Sequence, residues 1–477
     1  MDAASLTAWF ESIEATVWHW KFMPLVLVVV GGILTVATGF VQIRRFPAAL
    51  RTVFKGAFKK EAADSNTITP FQALSTALAS TVGNGNIGGV ATAILIGGPG
   101  AIFWMWVCAT VGMATKYAEA VLGVHYRVTR ENGELASGPM YYITRGLGGS
   151  KLGKTLAWLF AFFGMATAMF GTGNMAQSNT VAVSFVAAVR SLTGVTIGTW
   201  IPGLLIMVAV GLVLLGGIKR IAKTAEKLVP SMIVLYLGAA FTYVVLNADK
   251  LPEVFALIFS EAFSPTAAIG GFAGATVAQA IAMGMSRGVL SNEAGLGSAP
   301  MAHGIASVRH PAEQGVVGVF EVFIDTIVVC SMTAFVILES GLWTAGTFQS
   351  ADLTSAAMSQ TIPFAPIVIA ICSFLFGFST LIGWCYYGEK CFEYIFGSAY
   401  TKLYRLVFTA LILVGAVISV PLVWAIGNLL NAFMAFPNLI GLAILLPMVR
   451  KITKDYFSGT GKEYSVDHPT TGARIDN

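Results

Sequence analysis

The stretch 69–95 reads TPFQALSTALASTVGNGNIGGVATAIL and decides the fold of this chain. Its length and apolar background suit a membrane span, but glycine and asparagine crowd its centre. Because glycine forms helices poorly and asparagine competes for backbone hydrogen bonds, we expect the helix to be interrupted at 82–85. The spacing alone leaves two interpretations open. The stretch is either a Gly-rich helix packed closely on a neighbour, or a broken helix whose free backbone groups bind a carboxylate and a small cation.

The composition indicates an all-α integral membrane protein with one domain over 1–477. Of the 477 residues, 56% are hydrophobic and 11% are charged, and the mean hydropathy is +0.75. Soluble domains contain about 25% charged residues. The net charge of +5 lies in short loops, so the lipid bilayer rather than a nucleic acid is the expected partner. The five cysteines lie in or beside apolar segments without Cys-x-x-Cys spacing, which predicts buried thiols and neither a disulfide nor a metal centre.

Apolar segments long enough to cross a bilayer recur along the chain. A span needs about 20 mostly apolar residues, and this length predicts about eleven spans. An outer lead-in, 1–22, precedes them, and a polar, mobile cytoplasmic tail, 457–477, follows. The predicted spans are 23–43, 69–96, 100–124, 155–191, 198–217, 228–247, 270–298, 315–338, 363–396, 403–422 and 426–449.

Loop charges give the orientation. Lysine and arginine cluster after the first span and in every second loop from there, whereas 97–100, 340–360 and 423–425 contain neither. Cytoplasmic loops are the ones enriched in these residues. We therefore expect the N-terminus outside, the C-terminus in the cytoplasm, and an odd number of spans.

An internal repeat emerges when the first span, 23–43, is set aside. The halves 69–249 and 270–449 each open with a span interrupted by glycine and polar residues, and in each the third span is unusually long. The charge pattern gives the two halves opposite orientations. Paired interrupted spans in inverted halves indicate a transporter, and this layout is the leucine-transporter-type five-plus-five inverted repeat with one extra N-terminal span. In it the first, third, sixth and eighth core spans supply the binding site.

The first interrupted span is a candidate anion site. A half-helix that begins after the break directs amide groups and the positive end of its dipole toward an anion. Thr81 and Asn84 add side-chain contacts. The predicted substrate-binding residues of this span are Thr81, Gly83, Asn84, Gly85 and Asn86.

The second interrupted span offers Gln279, Met283 and Ser286. We expect backbone carbonyls freed near 283–286 to accept hydrogen bonds from a substrate ammonium group. For Gln279 a helix–helix hydrogen bond is the competing interpretation.

The long spans add further candidates. Phe170 would cap a ligand, with Asn174 or Gln177 touching it, although packing of small residues explains the same pattern. Trp384 is either a pocket wall or inner packing. The adjacent hydroxyls of Ser379 and Thr380, with the carbonyls of Ala79 and Val82, would form an all-oxygen site suited to Na⁺, a hard cation. Hydroxyls that bond back to the preceding helical turn are the alternative.

Ionisable residues inside predicted spans indicate function or static pairing. Such residues are costly in a bilayer, and long ones near its edge can extend to the interface. The alternative is that these side chains form static ion pairs or extend to the membrane interface. We expect instead a network of charged residues that forms an inner gate and binds protons or cations. Its candidate members are Lys116, Glu119, Arg287, Glu293, Glu321 and Asp325.

No catalytic motif stands out. The chain has no evident nucleophile–base arrangement, so we expect no enzyme activity and no cofactor. An ion channel and a membrane enzyme or sensor are the rival classes. Flux that saturates with an amino acid and follows a Na⁺ gradient would separate a symporter from a channel.

Several motifs resemble those of the alanine or glycine:cation symporter family, the sodium–alanine symporters. They are GNGNIGGVATAI, GGPGAIFWMW at 97–106 with Lys116-Tyr-Ala-Glu119 beyond it, SGPMYYI at 137–143 and SNEAGLGSAP at 291–300. The resemblance extends over most of the chain. It implies uptake of alanine, glycine or another small amino acid with Na⁺ as the coupling ion, or H⁺ in some members, across the bacterial inner membrane. It also implies an eleven-span leucine-transporter-type fold.

The combined hypothesis is a secondary active symporter. Na⁺ would bind between the first broken span and Ser379/Thr380. The substrate carboxylate would lie on the amides of 83–86 and its ammonium on acceptors of the second broken span.

Overall fold

A computed structural model describes residues 3–58, 67–130, 133–267, 272–348, 350–418 and 420–459, and these are almost entirely helical. The predicted tail lies outside the described residues from 460 onward. The first part of the chain forms α1 (Ala3–Val17), α2 (Met23–Ala37), α3 (Val41–Arg44), α4 (Phe46–Phe58), α5 (Pro70–Thr81), α6 (Val90–Gly97), α7 (Gly100–His125), the small antiparallel pair β1 (Val128–Thr129) and β2 (Leu135–Ala136), α8 (Pro139–Gly146), α9 (Lys151–Phe170), α10 (Met175–Thr193), α11 (Trp200–Leu214) and α12 (Gly217–Leu246). The rest forms α13 (Leu251–Glu261), α14 (Val277–Asn292), α15 (Pro300–His303), α16 (Pro311–Val322), α17 (Ser331–Ser340), α18 (Ser350–Ser359), α19 (Ala365–Phe396), α20 (Thr401–Val417) and α21 (Val420–Phe457).

The chain is a multi-pass membrane protein. A helix, or two helices in sequence, occupies each segment predicted to cross the bilayer. Among the described residues, six helical stretches are long and apolar enough to cross a membrane by length and composition. They are Lys151–Arg190, Gly217–Leu246, Pro311–Ser340, Ala365–Phe396, Ser398–Val417 and Leu422–Phe457.

The first interrupted span is broken where the sequence predicts. A reciprocal capping box between Thr69 and Gln72 starts α5, which ends at Thr81. Val82 is extended, with φ −75° and ψ 95°. Helical structure resumes as a π-helical turn over Gly85–Gly89 and continues into α6. The prediction of an interruption at 82–85 is therefore confirmed.

The second interrupted span is broken later than predicted. A second capping box, between Thr276 and Gln279, starts α14, which then runs without a break to Asn292. The expected release of carbonyls near 283–286 is wrong, because these residues lie inside a regular helix. The chain turns only at Glu293, which has φ 56°, and passes through left-handed glycines to α15.

The glycines of α14 serve packing. A Cβ atom on Gly284 would lie 2.3 Å from the carbonyl oxygen of Ala101, and one on Gly288 would lie 3.1 Å from Cys108 Sγ. Both contacts are with α7. Glycine at these two positions lets α14 and α7 approach closely, which explains glycine in this span without a break.

The long spans differ from each other. The first consists of α9 and α10 with an irregular turn at 171–174, whereas α19 is continuous over 32 residues. Between α16 and α17 the helix widens into a π-helical segment, Phe323–Cys330. Single π-helical turns are frequent at functional sites. All five cysteines are buried free thiols, as predicted.

We expect Gly284→Ala to destabilise the protein. The added Cβ would lie 2.7 Å from Trp104 Cβ as well as against the Ala101 carbonyl, and overpacking of this kind costs about 1–3 kcal/mol. The measurement is the thermal denaturation midpoint of the purified protein in detergent. Gly32→Ala in α2 is the matched control, because a Cβ there meets nothing within 4 Å. Equal midpoints for the two variants would contradict the packing role.

Candidate functional site

A pocket lies between the two broken spans, the two long spans and the start of α21. It is open beside the first break, since a Cβ on Gly85 or Gly89 would meet nothing within 4 Å. Its lining residues are Ser80, Thr81, Gly83, Gly85, Gly89, Thr172, Gln177, Arg287, Leu290, Glu293, Thr380, Trp384 and Trp424.

Much of the predicted site lines this pocket. The predicted substrate residues found there are Thr81, Gly83, Gly85, Gln177 and Trp384, together with Thr380 from the predicted cation site and Arg287 and Glu293 from the predicted gate. Sequence reasoning missed Ser80, Gly89, Thr172, Leu290 and Trp424. Ser80 and Gly89 flank the predicted break and could have been included on that ground. Trp424 and Leu290 line the pocket because of tertiary packing, which no local sequence pattern reveals.

The break in the first span redirects three backbone amides. In a continuous helix the amides of Gly83, Asn84 and Asn86 would bond to the carbonyls of Ala79, Ser80 and Val82. Instead the Gly83 amide donates to Asn86 Oδ1 at 2.8 Å. The Asn84 amide donates to Gln177 Oε1 at 3.4 Å, and the Asn86 amide donates to the Gly83 carbonyl at 3.1 Å.

This rearrangement changes which backbone groups are available. The carbonyls of Ala79, Ser80 and Val82 are released from helical pairing, so a short row of oxygens lies at the end of α5. The amides of Gly83, Asn84 and Asn86, predicted to bind the substrate carboxylate, are already engaged. The side chains of Asn86 and Gln177 satisfy the first two donors and the Gly83 carbonyl satisfies the third, and the predicted role of these amides in substrate binding stays a prediction.

Asn84 connects the first break to both long spans. Its Nδ2 donates to Gln177 Oε1 at 3.2 Å, and its Oδ1 accepts from Ser373 Oγ at 2.7 Å. Asn84 is buried and lies behind the pocket wall that Gln177 forms. It orients Gln177 toward the pocket.

Asn86 faces away from the pocket. Its Nδ2 donates to Asp325 Oδ1 at 2.8 Å, and its carbonyl accepts from Thr333 Oγ1 at 2.8 Å. Asp325 Oδ2 also accepts from Ser291 Oγ at 2.7 Å and from Thr326 Oγ1 at 2.8 Å. Asp325 therefore ties the first broken span, the second broken span and the π-helical segment together.

The predicted cation residues lie side by side. Ser379 and Thr380 donate their hydroxyl hydrogens to the Phe376 carbonyl, each at 2.9 Å, which is the back-bonded geometry named above as the alternative. Each hydroxyl oxygen keeps lone pairs for a further contact. A Cβ on Gly83 would lie 2.6 Å from Thr380 Oγ1, so the break and α19 touch at this point.

Besides Asn84 and Asn86, five predicted substrate residues lie outside the pocket lining. Gln279 caps α14, where its Oε1 accepts from the Thr276 amide at 2.8 Å. Phe170 is 46% exposed at the end of α9, and Asn174 Nδ2 donates to the Phe408 carbonyl at 2.8 Å. Met283 packs beside Gly97, and Ser286 is buried within α14. Phe170 and Asn174 flank the turn between α9 and α10, whose direction the sequence does not reveal.

Five of the six predicted gate residues separate into three groups, and Glu119 lies apart from them. Arg287 and Glu293 line the pocket, and Asp325 lies at the π-helical segment. The third group is centred on Glu321, which accepts from Lys116 Nζ at 3.2 Å and pairs with His303 Nε2 at 2.7 Å.

Glu119 holds the second break. Its Oε1 accepts from the amides of Gly295 and Gly297 at 3.1 and 3.0 Å and from Asn438 Nδ2 at 2.7 Å. Gly295 and Gly297 have φ of 91° and 82°, a left-handed conformation that glycine adopts without strain. The carboxylate of Glu119 thus fixes the turn that ends the second broken span.

We expect Asn86→Ala to destabilise the protein more than removal of an ordinary buried amide. The change takes an acceptor from the Gly83 amide and a donor from the buried Asp325 carboxylate, a loss of roughly 2–4 kcal/mol. Asn179→Ala is the control, because Asn179 Nδ2 donates only to backbone carbonyls, those of Gly415 and Ile418. Thermal denaturation midpoints in detergent compare the variants. An Asn86→Ala midpoint no lower than that of Asn179→Ala would refute the anchoring role.

Comparison with known proteins identifies the family. The model of the sodium:alanine symporter family matches residues 3–468. The chain is 45% identical over 459 residues to the sodium/alanine symporter AgcS of Methanococcus maripaludis, covering 96% of this chain and 98% of AgcS. It is 39% identical to the probable sodium/glutamine symporter GlnT of Bacillus subtilis, covering 92% and 88%.

A solved structure supports the fold. A mutant form of the Eremococcus coleocola manganese transporter matches with a TM-score of 0.51 at 16% identity, covering 85% of this chain and 92% of that chain. At this identity the likeness concerns the fold alone. Together with the family match, it makes this protein a helical membrane transporter and not an enzyme. The chain belongs to the sodium:alanine symporter family.

Proposed function

We propose that the protein is a secondary active symporter that takes up alanine or glycine together with Na⁺. The observation that supports this best is the row of released carbonyls at the end of α5, next to the break that lies against Thr380 of α19. An oxygen-lined cation site beside a small polar pocket is what coupled uptake of an amino acid requires. The name of the relative AgcS, a sodium/alanine symporter, agrees with this assignment.

We further propose the complete membrane layout predicted from the sequence. It has about eleven spans, with a first span at 23–43 and inverted five-span repeats over 69–249 and 270–449, in the leucine-transporter-type arrangement. The matched capping boxes support the repeat, because Thr69 with Gln72 and Thr276 with Gln279 start the two broken spans in the same way. Loop charges place the N-terminus outside and the C-terminus in the cytoplasm of a bacterial inner membrane.

The pocket suits a small zwitterion. Trp384, Trp424 and Leu290 provide apolar walls, and the open space beside Gly85 and Gly89 is bounded by backbone. Such walls leave room for the hydrogen or methyl side chain of glycine or alanine. The substrate ammonium lies toward the carboxylate of Glu293, which lines the pocket.

Na⁺ binds at the site predicted from the sequence. The carbonyl oxygens of Ala79 and Val82 and the hydroxyl oxygens of Ser379 and Thr380 are hard ligands of the kind that Na⁺ prefers. Ser80, whose carbonyl is released by the same break, is a further ligand candidate. Because the site joins the first broken span to α19, bound Na⁺ favours the conformation in which these elements are in contact. A ligand shifts a conformational equilibrium only through such differential affinity.

Buried charge also supports cation coupling. The six ionisable residues predicted for the gate comprise four acidic and two basic side chains, and all except Arg287 are at most 3% exposed. Burial of uncompensated carboxylates is costly, so bound cations or protons stabilise this region. The same excess of acidic over basic side chains would also allow H⁺ coupling. An H⁺-coupled amino-acid transporter is therefore the second candidate. An ion channel is a weaker one.

We expect uptake of labelled alanine and glycine by proteoliposomes to require an inward Na⁺ gradient. The expected result is accumulation that saturates with the amino acid and collapses when a sodium ionophore dissipates the gradient. Replacement of external Na⁺ by K⁺ is the control for salt. Accumulation on an inward pH gradient without Na⁺ would instead establish H⁺ coupling. Amino-acid-independent cation flux would indicate a channel.

We expect Thr380→Ala to lower the apparent affinity for Na⁺ in alanine uptake. Loss of one oxygen ligand should raise the Na⁺ concentration for half-maximal alanine uptake by about tenfold or more. Thr409→Ala is the matched control, because Thr409 Oγ1 donates to the Arg405 carbonyl at 2.7 Å in the same back-bonded way but lies in α20, outside the pocket lining. A Thr380→Ala protein with unchanged Na⁺ dependence would remove α19 from the cation site.

A further inference from the structure

The pocket contains one charged side chain whose hydrogen-bonding capacity is not used. Arg287 and Glu293 are the two charged residues among the described residues of the lining. The Nε atom of Arg287 is buried and has no hydrogen-bond partner, and no described carboxylate forms a salt bridge with its guanidinium. A guanidinium is always charged and presents five N–H donors, so the pocket holds a strong and largely unused site for an anion.

The neighbouring carboxylates that the structure describes form no salt bridge with Arg287. Glu14 of α1 acts on it electrostatically but accepts a hydrogen bond from Asn428 Nδ2 at 2.6 Å. Glu293 Oε1 accepts from Trp384 Nε1 at 2.8 Å, and its Oε2 accepts from Ser298 Oγ. Neither acid accepts a hydrogen bond from Arg287, and the guanidinium donors remain available to a ligand.

The geometry of α14 keeps Arg287 and Glu293 apart while both face the pocket. Six residues correspond to about 9 Å along a helix axis, and α14 ends at Asn292, just before Glu293. Glu293 takes a left-handed conformation, with φ 56°. The pocket is consequently dipolar, with a cationic side chain at one end and an anionic one at the other. A zwitterionic amino acid has the complementary charge distribution.

Three of the four backbone amides expected to bind a carboxylate are occupied. The Gly83 amide bonds to Asn86 Oδ1, the Asn84 amide to Gln177 Oε1, and the Asn86 amide to the Gly83 carbonyl. A substrate that used these amides would have to displace three existing bonds. Binding to Arg287 displaces none of them.

We propose that Arg287 binds the carboxylate of the substrate and thereby selects α-amino acids over the corresponding amides. The inference rests on the proposed function for the identity of the substrate. It replaces the backbone amides of 83–86 with a side chain of the second broken span as the carboxylate partner. The planar guanidinium pairs with a carboxylate through two parallel hydrogen bonds, which a lysine cannot reproduce.

The test compares alanine with alaninamide as ligands of the full-length protein. Wild type, Arg287→Gln and Arg287→Lys are purified in detergent with Na⁺, and the dissociation constant of each ligand is measured by the shift in thermal denaturation midpoint over a ligand titration. We expect wild type to prefer alanine. Arg287→Gln should weaken alanine binding by about tenfold to a hundredfold and leave alaninamide binding unchanged or stronger, and Arg287→Lys should be intermediate.

A matched control separates recognition from a structural effect. Arg190→Gln removes an exposed arginine at the end of α10 and should leave both dissociation constants unchanged. If Arg287 only supports the fold or a gate, Arg287→Gln will weaken both ligands equally and the ratio of their constants will not change. That result would overturn the inference.

The outcome for Arg287 is distinguishable from the outcome for the proposed function. A wild type that does not distinguish alanine from alaninamide overturns the role of Arg287, whatever the uptake assay shows. A wild type that distinguishes them, loses the distinction in Arg287→Gln and yet accumulates no amino acid on a Na⁺ gradient overturns Na⁺-coupled uptake and supports carboxylate recognition by Arg287.

Discussion

The pocket depends on one hydrogen bond, which the Gly83 amide donates to the side chain of Asn86. That amide would otherwise continue α5 by bonding to the Ala79 carbonyl. Its diversion ends the helix at Thr81 and frees the Ala79 carbonyl, next to the break that lies against Thr380. A buried polar group without a partner is expensive, so a break at this depth is stable only because two side chains and one backbone carbonyl satisfy the amides. The carbonyls are left for a ligand.

Carboxylates connect the elements around the pocket. Asp325 accepts bonds from Asn86 of the first broken span, Ser291 of the second and Thr326 of the π-helical segment. Glu119 holds the second break through the amides of Gly295 and Gly297. Because buried carboxylates must remain hydrogen-bonded, the two breaks cannot separate from these partners without a large cost. Each carboxylate therefore makes it more favourable for the connected helices to move together than for one break to unfold locally.

The sequence predicted those features of the fold and the pocket that depend on neighbouring residues in the chain. The first break was predictable because glycine and asparagine interrupt a helix by themselves. The second break was misplaced because Gly284 and Gly288 adapt α14 to α7, and a sequence does not distinguish a packing glycine from a breaking one. Its actual position depends on Glu119, distant in the chain. Gln177 and Trp384 were found from their spans, whereas Trp424 reaches the pocket through packing of α21 that no local pattern encodes.

In the mechanism that we propose, substrate and ion recognition use different parts of the same two broken spans, and this division bears on coupling. The first span would offer backbone oxygens to a cation, whereas the second would offer Arg287 and Glu293, which line the pocket, to a zwitterion. Gln177 connects the first break to the substrate pocket, since its side chain accepts hydrogen bonds from Asn84 behind the break and also lines the pocket. A cation that fixes the end of α5 fixes Asn84 and hence the orientation of Gln177. The substrate then meets an ordered pocket wall, so part of the entropy cost of its binding has already been met by the ion. By linkage the substrate must strengthen ion binding by the same factor, which is the energetic requirement for symport.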